Sequence, residues 1–349
     1  MNLVVVETID LAVAETITAF RENPKSRWII GFSGGKDSTA LLKVIYAAYL
    51  SCETKPTKID VIYCDTGVEN PILDRYVKNL FSSLNREFQR ERVSFETHLL
   101  KAPVSDRFFV KVIGRGYPTP TNKFRWCTNK LRIGPVSNFI GSAAEADAIV
   151  CLGLRRNESI QRDRSLSNNG NHIWQEQTEA GNKYRLFLPI LDFSVEDVWE
   201  AICEMSSPAS INANELAELY KGASGECPIV RPLEPTPCGS GRFGCWTCTV
   251  VRQDKSSLGL IRAGFSELIP FYDFRSWLLQ IRNDPDRRWP QRRNGATGPG
   301  PLTLSARKEI YSKLQKLERE TGTTLLEAEE VQEIERLWKL DEGSEPIRC

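Results

Sequence analysis

Residues 28–46 read WIIGFSGGKDSTALLKVIY, and no other stretch limits the fold as much. A short apolar strand runs into a turn with two consecutive glycines. A helical pattern with no breaker follows. Gly34 and Gly35 let the backbone come close to an anion with its amides turned inward. The positive end of the next helix points at the same place. Lys36 adds a point charge, and Ser33 and Ser38 add hydroxyls. Asp37 would repel phosphate by itself, so its sensible task is to hold a Mg²⁺ ion that bridges phosphates. The spacing differs from G-x-x-x-x-G-K-S/T, so this is not the common P-loop. The residues alone also allow a plain glycine-rich turn.

The pattern continues along the first 200 residues. Residues 3–21 read as a helix. RWIIGF, KIDVIYCDTG, SFETHLLK, ADAIVCLGLRR and RLFLPILDF read as strands. PILDRYVKNLFSSLNREF opens on a proline suited to a helix start. In SVEDVWEAICEM, Ser194 and Asp197 have the spacing of a capping box. Strands alternating with helices predict an α/β fold with a doubly wound, mainly parallel sheet. Beyond residue 200 the character changes. Residues 222–255 are rich in Gly, Pro and Cys, 284–301 form an arginine-dense loop, and two charged amphipathic helices follow. The expected division is an α/β domain over 1–200 and a smaller helical, cysteine-bearing region over 201–349.

Lys plus Arg is 46 and Asp plus Glu is 45, a formal net charge of +1. This argues against a protein that coats nucleic acid, but leaves room for a local basic groove. Arg282, Arg287, Arg288, Arg292 and Arg293, with Trp289 among them, form the best basic-aromatic patch; a solvated loop is the alternative. No apolar run reaches the roughly 18 residues of a membrane span, and the first residues lack a basic n-region. A cytoplasmic location and no membrane partner are expected.

The ten cysteines are not expected to form disulfides in that compartment. Cys227, Cys238, Cys245 and Cys248 fall within 22 residues. Four thiolates so close, among turn-forming residues, suit one metal centre. Structural zinc usually shows two short-spaced pairs. Only one CxxC is present, which favours a [4Fe–4S] cluster over zinc. Cys127 stands apart in NKFRWCTNKLRIGP, among Lys123, Arg125, Lys130 and Arg132. Neighbouring cations favour a reactive thiolate; a buried apolar cysteine is the alternative.

SGGKDS after a strand resembles the PP-loop of the ATP pyrophosphatases, a family that includes relatives of phosphoadenylylsulfate reductase and RNA thiolation enzymes. The resemblance implies that ATP is cleaved between its α and β phosphates, with Ser33 to Ser38 binding the pyrophosphate portion. YCDTGVENP resembles the family's second loop, which implies Asp65 at the metal or nucleotide; a turn residue is the other reading. GLRRNESIQRDR resembles a reductase-type segment. It implies Arg155, Arg156 and Arg162 at phosphates with Glu158 orienting an arginine, against a solvated charge run. RWCTNKLR resembles the same enzymes.

The whole set, with CGSGRFGCWTC and GATGPGPLT, resembles the sulfurtransferases of bacterial DNA phosphorothioation (the DndC/SspD type) over about residues 25–310. That likeness implies adenylation of a DNA backbone phosphate and replacement of an oxygen by sulfur. Lys36, Asp37, Cys127 and Arg155 would be catalytic. ATP, Mg²⁺ and the cluster would be cofactors. A cysteine desulfurase and other phosphorothioation proteins would be partners. Rival expectations are a sulfonucleotide reductase, a tRNA thiolase and a non-catalytic iron–sulfur assembly module; the intact Lys36, Asp37 and Ser38 argue against the last.

Overall fold

Strand β1 (Arg27–Gly31) buries Trp28, Ile29 and Ile30 completely, and it lies near the middle of a sheet. The computed structural model describes residues 3–141, 147–156, 172–179, 181–224 and 243–342. They gather into two compact units. One comprises Met1–Cys64, Ile72–Leu100 and Val136–Phe243. The other comprises Asp65–Pro71, Lys101–Pro135 and Gly244–Cys349.

The first unit is built on six strands in the order β3-β2-β1-β4-β6-β5. The others are β2 (Ile59–Asp65), β3 (Phe95–Lys101), β4 (Ala148–Leu152), β5 (Trp174–Glu179) and β6 (Asn182–Phe187). β1 runs parallel to β2 and β4, and β4 parallel to β6; β5 is antiparallel to β6. Successive residues of β1 point to opposite faces, and both faces are covered. Trp28 packs edge-on against Phe20 of α1 (Leu3–Glu22), with ring centroids 4.7 Å apart, and against Phe187 at 5.9 Å. Ile29 joins Ile62, Val150 and Ile140 on the other side, the last from α4 (Gly134–Gly141). This is the mainly parallel, Rossmann-like α/β fold that the alternating pattern predicts.

Helices α2 (Lys36–Ser51), α3 (Pro71–Glu91), α5 (Val195–Glu204) and α6 (Ala213–Ser224) complete the described elements here. The predicted capping box forms. Asp197 N–H donates to Ser194 Oγ at 3.1 Å, and Ser194 N–H donates to the Asp197 carboxylate at 2.7 Å. The strand expected over 185–193 instead spans Asn182–Phe187. Leu188–Leu191 turn back on themselves, with Leu191 N–H on the Leu188 carbonyl at 3.1 Å. Those leucines are buried, so their apolar run reflects a packed turn, not an extended strand.

The second unit is helical. α7 (Lys255–Arg262), α8 (Ile269–Arg282), α9 (Leu304–Thr321) and α10 (Ala328–Glu342) accompany a π-helical turn at Val110–Gly114. Its core includes Val110, Ile113, Leu278, Ile310, Leu314 and Ile334. Trp246 inserts among Phe109, Phe271 and Phe274, with centroids 5.1–5.9 Å away. Truncating such a buried ring costs roughly 3–5 kcal/mol, so the first of the two residues between the cysteines of the CxxC also anchors that loop. Among the described residues no helix is long and apolar enough to cross a membrane.

Candidate functional site

In the first unit, Ser33–Ser38 link β1 to α2 as a closed turn. Ser33 N–H donates to Ser38 Oγ at 3.1 Å, and Ser38 Oγ donates to the Gly35 carbonyl at 2.9 Å. Gly34 has φ +76°, and a Cβ there would meet Val77 Cγ2 at 2.3 Å. Only glycine meets both demands. Gly35 caps α2 without a side-chain hydrogen bond, so the first-turn amides face whatever occupies the turn.

One of those amides has a partner the sequence did not announce. Lys36 N–H donates to the Tyr220 hydroxyl at 3.0 Å, and Lys36 Nζ sits 4.8 Å from the centre of the same ring. Tyr220, on α6, is held edge-on by Trp199 and Phe243 at 5.5 and 5.3 Å. A buried tyrosine at helical spacing reads as core; only its hydroxyl, which needs a buried partner, hints at more.

Asp37 pairs with Arg155, whose guanidinium also donates to the Phe193 carbonyl at 3.2 Å. Arg155 is buried, and its charge is engaged by a carboxylate of the turn. Gly153 lets this approach happen: a Cβ there would meet the Asp37 carbonyl oxygen at 2.7 Å. Arg156 forms a more exposed ion pair with Asp192, of small energetic weight. Glu158 and Arg162 lie outside the described residues.

Asp65 closes β2 and belongs to the second unit. Its Oδ1 accepts from Gly67 N–H at 3.0 Å, and Lys101 Nζ lies 4.0 Å from Oδ2. Both the turn role and a charge role have a geometric basis.

In the second unit the thiols of Cys127, Cys245 and Cys248 are near enough to influence one another electrostatically, although the three sulfurs do not all lie within 4.8 Å of one another. Cys248 N–H donates to the Cys245 carbonyl at 2.9 Å, while Glu69 and Cys245 form an antiparallel bridge. The Glu69 carboxylate lies 3.9 Å from Cys245 Sγ and accepts from Arg132 at 2.9 Å and from Thr66 Oγ1 at 3.0 Å. Glu69 was not foreseen: in VENP it reads as an ordinary loop acid. Burial pushes the Cys127 thiol up, with repulsion from Cys248 adding to it, although Arg125 pulls the other way. The neighbouring cations alone predicted the opposite direction; desolvation outweighs them. Burial and Glu69 likewise raise Cys245, with Cys248 and Cys127 contributing. Arg275 of α8 holds the end of this loop, donating to the carbonyls of Cys248 at 2.9 Å and Arg252 at 3.0 Å as well as to that of Val251. Cys227 and Cys238 lie outside the described residues.

Among the described residues, Asp60, Glu96 and His98 place ligand atoms within 4.8 Å of one another. Arg27 at 2.6 Å and Lys58 at 3.4 Å already neutralise Asp60, so the trio is an ion-pair network. The thiols remain the donor set whose softness suits a metal.

The uncharacterized protein MJ0066 of Methanocaldococcus jannaschii is 26% identical to the chain over 187 residues, 54% of the chain and 33% of that relative. The chain thus spans one third of the curated relative's length. Among solved structures, Candida glabrata FMN adenylyltransferase in complex with FAD and inorganic pyrophosphate is similar over 88% of this chain and 82% of its own. The identity is 15% and the TM-score 0.41. The U34-tRNA thiolase NcsA from Methanococcus maripaludis, with its [4Fe–4S] cluster, is similar over 78% and 79% of the two chains, at 11% identity and TM-score 0.35. The family model of the phosphoadenosine phosphosulfate reductase domain matches residues 27–251, from β1 through the turn, Arg155 and the CxxC. On that match, this chain belongs to the phosphoadenosine phosphosulfate reductase domain family.

Proposed function

We propose that the chain is an ATP-dependent sulfurtransferase that adenylates a backbone phosphate of DNA and enables its modification by sulfur. The observation that carries the reading is the Ser33–Ser38 turn. It has a helix amide donating to an oxygen, a buried Lys36 beside it and Asp37 fixed by Arg155. Backbone N–H groups and a buried ammonium favour anionic oxygens. Membership of a nucleotide-utilising family supports the choice of ATP.

In this reading a non-bridging oxygen of the DNA phosphate attacks the α-phosphorus of ATP. The bond to the α,β-bridging oxygen breaks, and its electron pair leaves with pyrophosphate. Lys36 and the first-turn amides of α2 stabilise charge growing on that leaving group. Arg155 engages Asp37 Oδ1, which leaves Oδ2 as the oxygen for Mg²⁺; the ion supplies charge neutralisation when bound. The DNA oxygen, now joined to AMP, can depart. The terminal sulfur of a persulfide on Cys127 attacks the backbone phosphorus, and AMP leaves with the oxygen. A second thiol then attacks the Cys127 sulfur. The S–S bond breaks, the phosphorothioate leaves with the electron pair, and the resulting disulfide is reset by a dithiol reductant. A cysteine desulfurase reloads the persulfide.

Cys245 and Cys248, with Cys227 and Cys238, would hold a [4Fe–4S] cluster, or zinc as the lesser choice. Such a centre supplies a cross-link for the loop and, if iron–sulfur, a one-electron site. The soft donor set, with the Cys127 thiol electrostatically coupled to Cys248, fits either.

Mass spectrometry of nuclease-digested DNA tests the proposal. Phosphorothioate dinucleotides are expected from cells with the wild-type chain and its partners, and are expected to vanish with Cys127→Ser. Their absence in both cells contradicts the proposal, and their persistence in the mutant removes Cys127 from the chemistry. The family match favours one second reading, a sulfonucleotide reductase. It requires release of sulfite from phosphoadenylyl sulfate with thioredoxin as reductant. Sulfur found in RNA bases would instead indicate a thiolase.

A further inference from the structure

The arginine-dense loop forms more than a charged surface. Within the second unit it walls a cavity of about 700 Å³. Arg282, Arg288, Arg292 and Arg293 line it together with Lys123. The acid in the lining, Asp284, is 3.0 Å from the Arg287 guanidinium, which also pairs with Glu309. The cavity is therefore strongly cationic. Its apolar surface includes Tyr117 and Phe124, whose rings lie 6.3 Å apart at 32°. Phe124 is 46% exposed, so its ring is open to a stacking partner.

A second cavity of about 340 Å³ adjoins the first and shares Thr121, Lys123 and Arg282 with it. Arg282 is fixed in the shared wall by the Pro120 and Thr249 carbonyls, at 3.0 and 2.8 Å. These bonds orient the guanidinium and leave its charge uncompensated. Arg288 is held in the same way by the carbonyls of Gly300 and Arg282. Among the described residues neither Lys123 nor Arg292 forms an ion pair. The second cavity is lined by Thr249, Val250 and Arg252, immediately after Cys248. Phe124 lies three residues before Cys127. Both cavities are thus walled by the segments that carry the thiols.

We propose that these two cavities bind a single strand of nucleic acid. An unpaired base stacks on Phe124 and Tyr117, and the flanking phosphates meet Lys123, Arg282 and Arg292. Exposed aromatic faces beside cations are what single strands require, because every base offers a π-face and every linkage a charge. A duplex keeps its bases stacked inside and must unpair and unstack one before it can enter a cavity, which disfavours it against a single strand. The inference rests on the sulfur-transfer reading only for why a strand should pass the cysteines. Binding itself needs neither ATP nor sulfur.

Fluorescence anisotropy with the full-length chain, without ATP, tests it. The probe is a short labelled oligodeoxynucleotide, run against the same sequence as duplex, as oligoribonucleotide and with poly-glutamate as competitor. The single strand should bind more tightly than the duplex. Phe124→Ala should weaken it by roughly 5- to 100-fold, the range for loss of one stacked base. The double variant Lys123→Glu, Arg292→Glu should weaken it further and flatten the salt dependence. Leu11→Ala, exposed on α1 and outside both linings, should change nothing. Tighter binding of either DNA or RNA strand supports the site and identifies its source. Equal binding of duplex, indifference to Phe124→Ala in variants with wild-type circular dichroism, or equal displacement by poly-glutamate overturns it. Pyrophosphate release from ATP is a separate readout, so the catalytic reading and the strand site fail independently.

Discussion

Tyr220 ties the Ser33–Ser38 turn to α6. Its hydroxyl accepts from Lys36 N–H at 3.0 Å, so a phosphate oxygen that takes the same amide must displace it. Tyr220→Phe keeps the packing against Trp199 and Phe243 and the ring under Lys36. One hydrogen bond, worth about 1 kcal/mol net, is then no longer lost on binding. Isothermal titration should show ATP binding about fivefold tighter in the variant. Weaker binding would mean that the hydroxyl touches the nucleotide directly. At this scale Ser33–Ser38 were legible as a tight strand-to-helix turn because two consecutive glycines stand between an apolar strand and a helical pattern. Tyr220, Gly153 and Glu69 were not, because each acts through a neighbour distant in sequence. The pairing of Arg155 with Asp37 was not legible either, since a linear motif does not show which cation burial will pair with which acid.

Among elements, α8 acts as a clamp. Arg275 and Arg282, two turns apart on one face, hold carbonyls of Cys248, Thr249 and Arg252. Arg275 is almost fully buried. Replacing it by Met removes three donors at once and leaves buried carbonyls unsatisfied, at about 1–3 kcal/mol each. Hydrogen exchange should therefore quicken across 245–252 in Arg275→Met while β1 and β4 keep their protection. Unchanged exchange would show that Trp246 alone fixes the loop. α8 carries helix signals in Pro270 in its first turn and in the apolar spacing of Phe271, Phe274, Leu278 and Ile281, but it is not among the helices expected from the sequence. The strands β1 to β4 and helices α1, α2, α3 and α5 were plain because their apolar residues are periodic and uninterrupted, whereas α4 and α6 were not among the helices expected. β5 was not, since WQEQTE is polar and becomes a strand only by pairing with β6 across a turn in which Gly181 has φ +87°. The π-turn at Val110–Gly114 has no sequence signature at all.

For the whole molecule, a net charge of +1 conceals strong segregation. Asp284 and Glu309 compensate Arg287, and Glu327 takes up Lys101 and Arg107. The hydrogen bond from Lys101 is the main reason the Glu327 carboxyl is lowered to about 2. Among the described residues Lys123, Arg282, Arg288 and Arg292 of the 700 Å³ cavity form no ion pair, and the lining's Asp284 is taken up by Arg287. A count of charges therefore describes the surface average and misses the site. Family membership and the sheet were accessible from motifs and periodicity, while the grouping of Cys127 with the CxxC needed the fold. The central claim is that the Ser33 turn grips the outer phosphates of ATP so that the nucleotide breaks at its inner anhydride. The direct measurement is product analysis with the purified full chain, Mg²⁺, ATP labelled at the α-phosphate, and acceptor DNA. AMP with pyrophosphate is predicted; ADP with orthophosphate, or intact ATP beside a folded protein, contradicts the account.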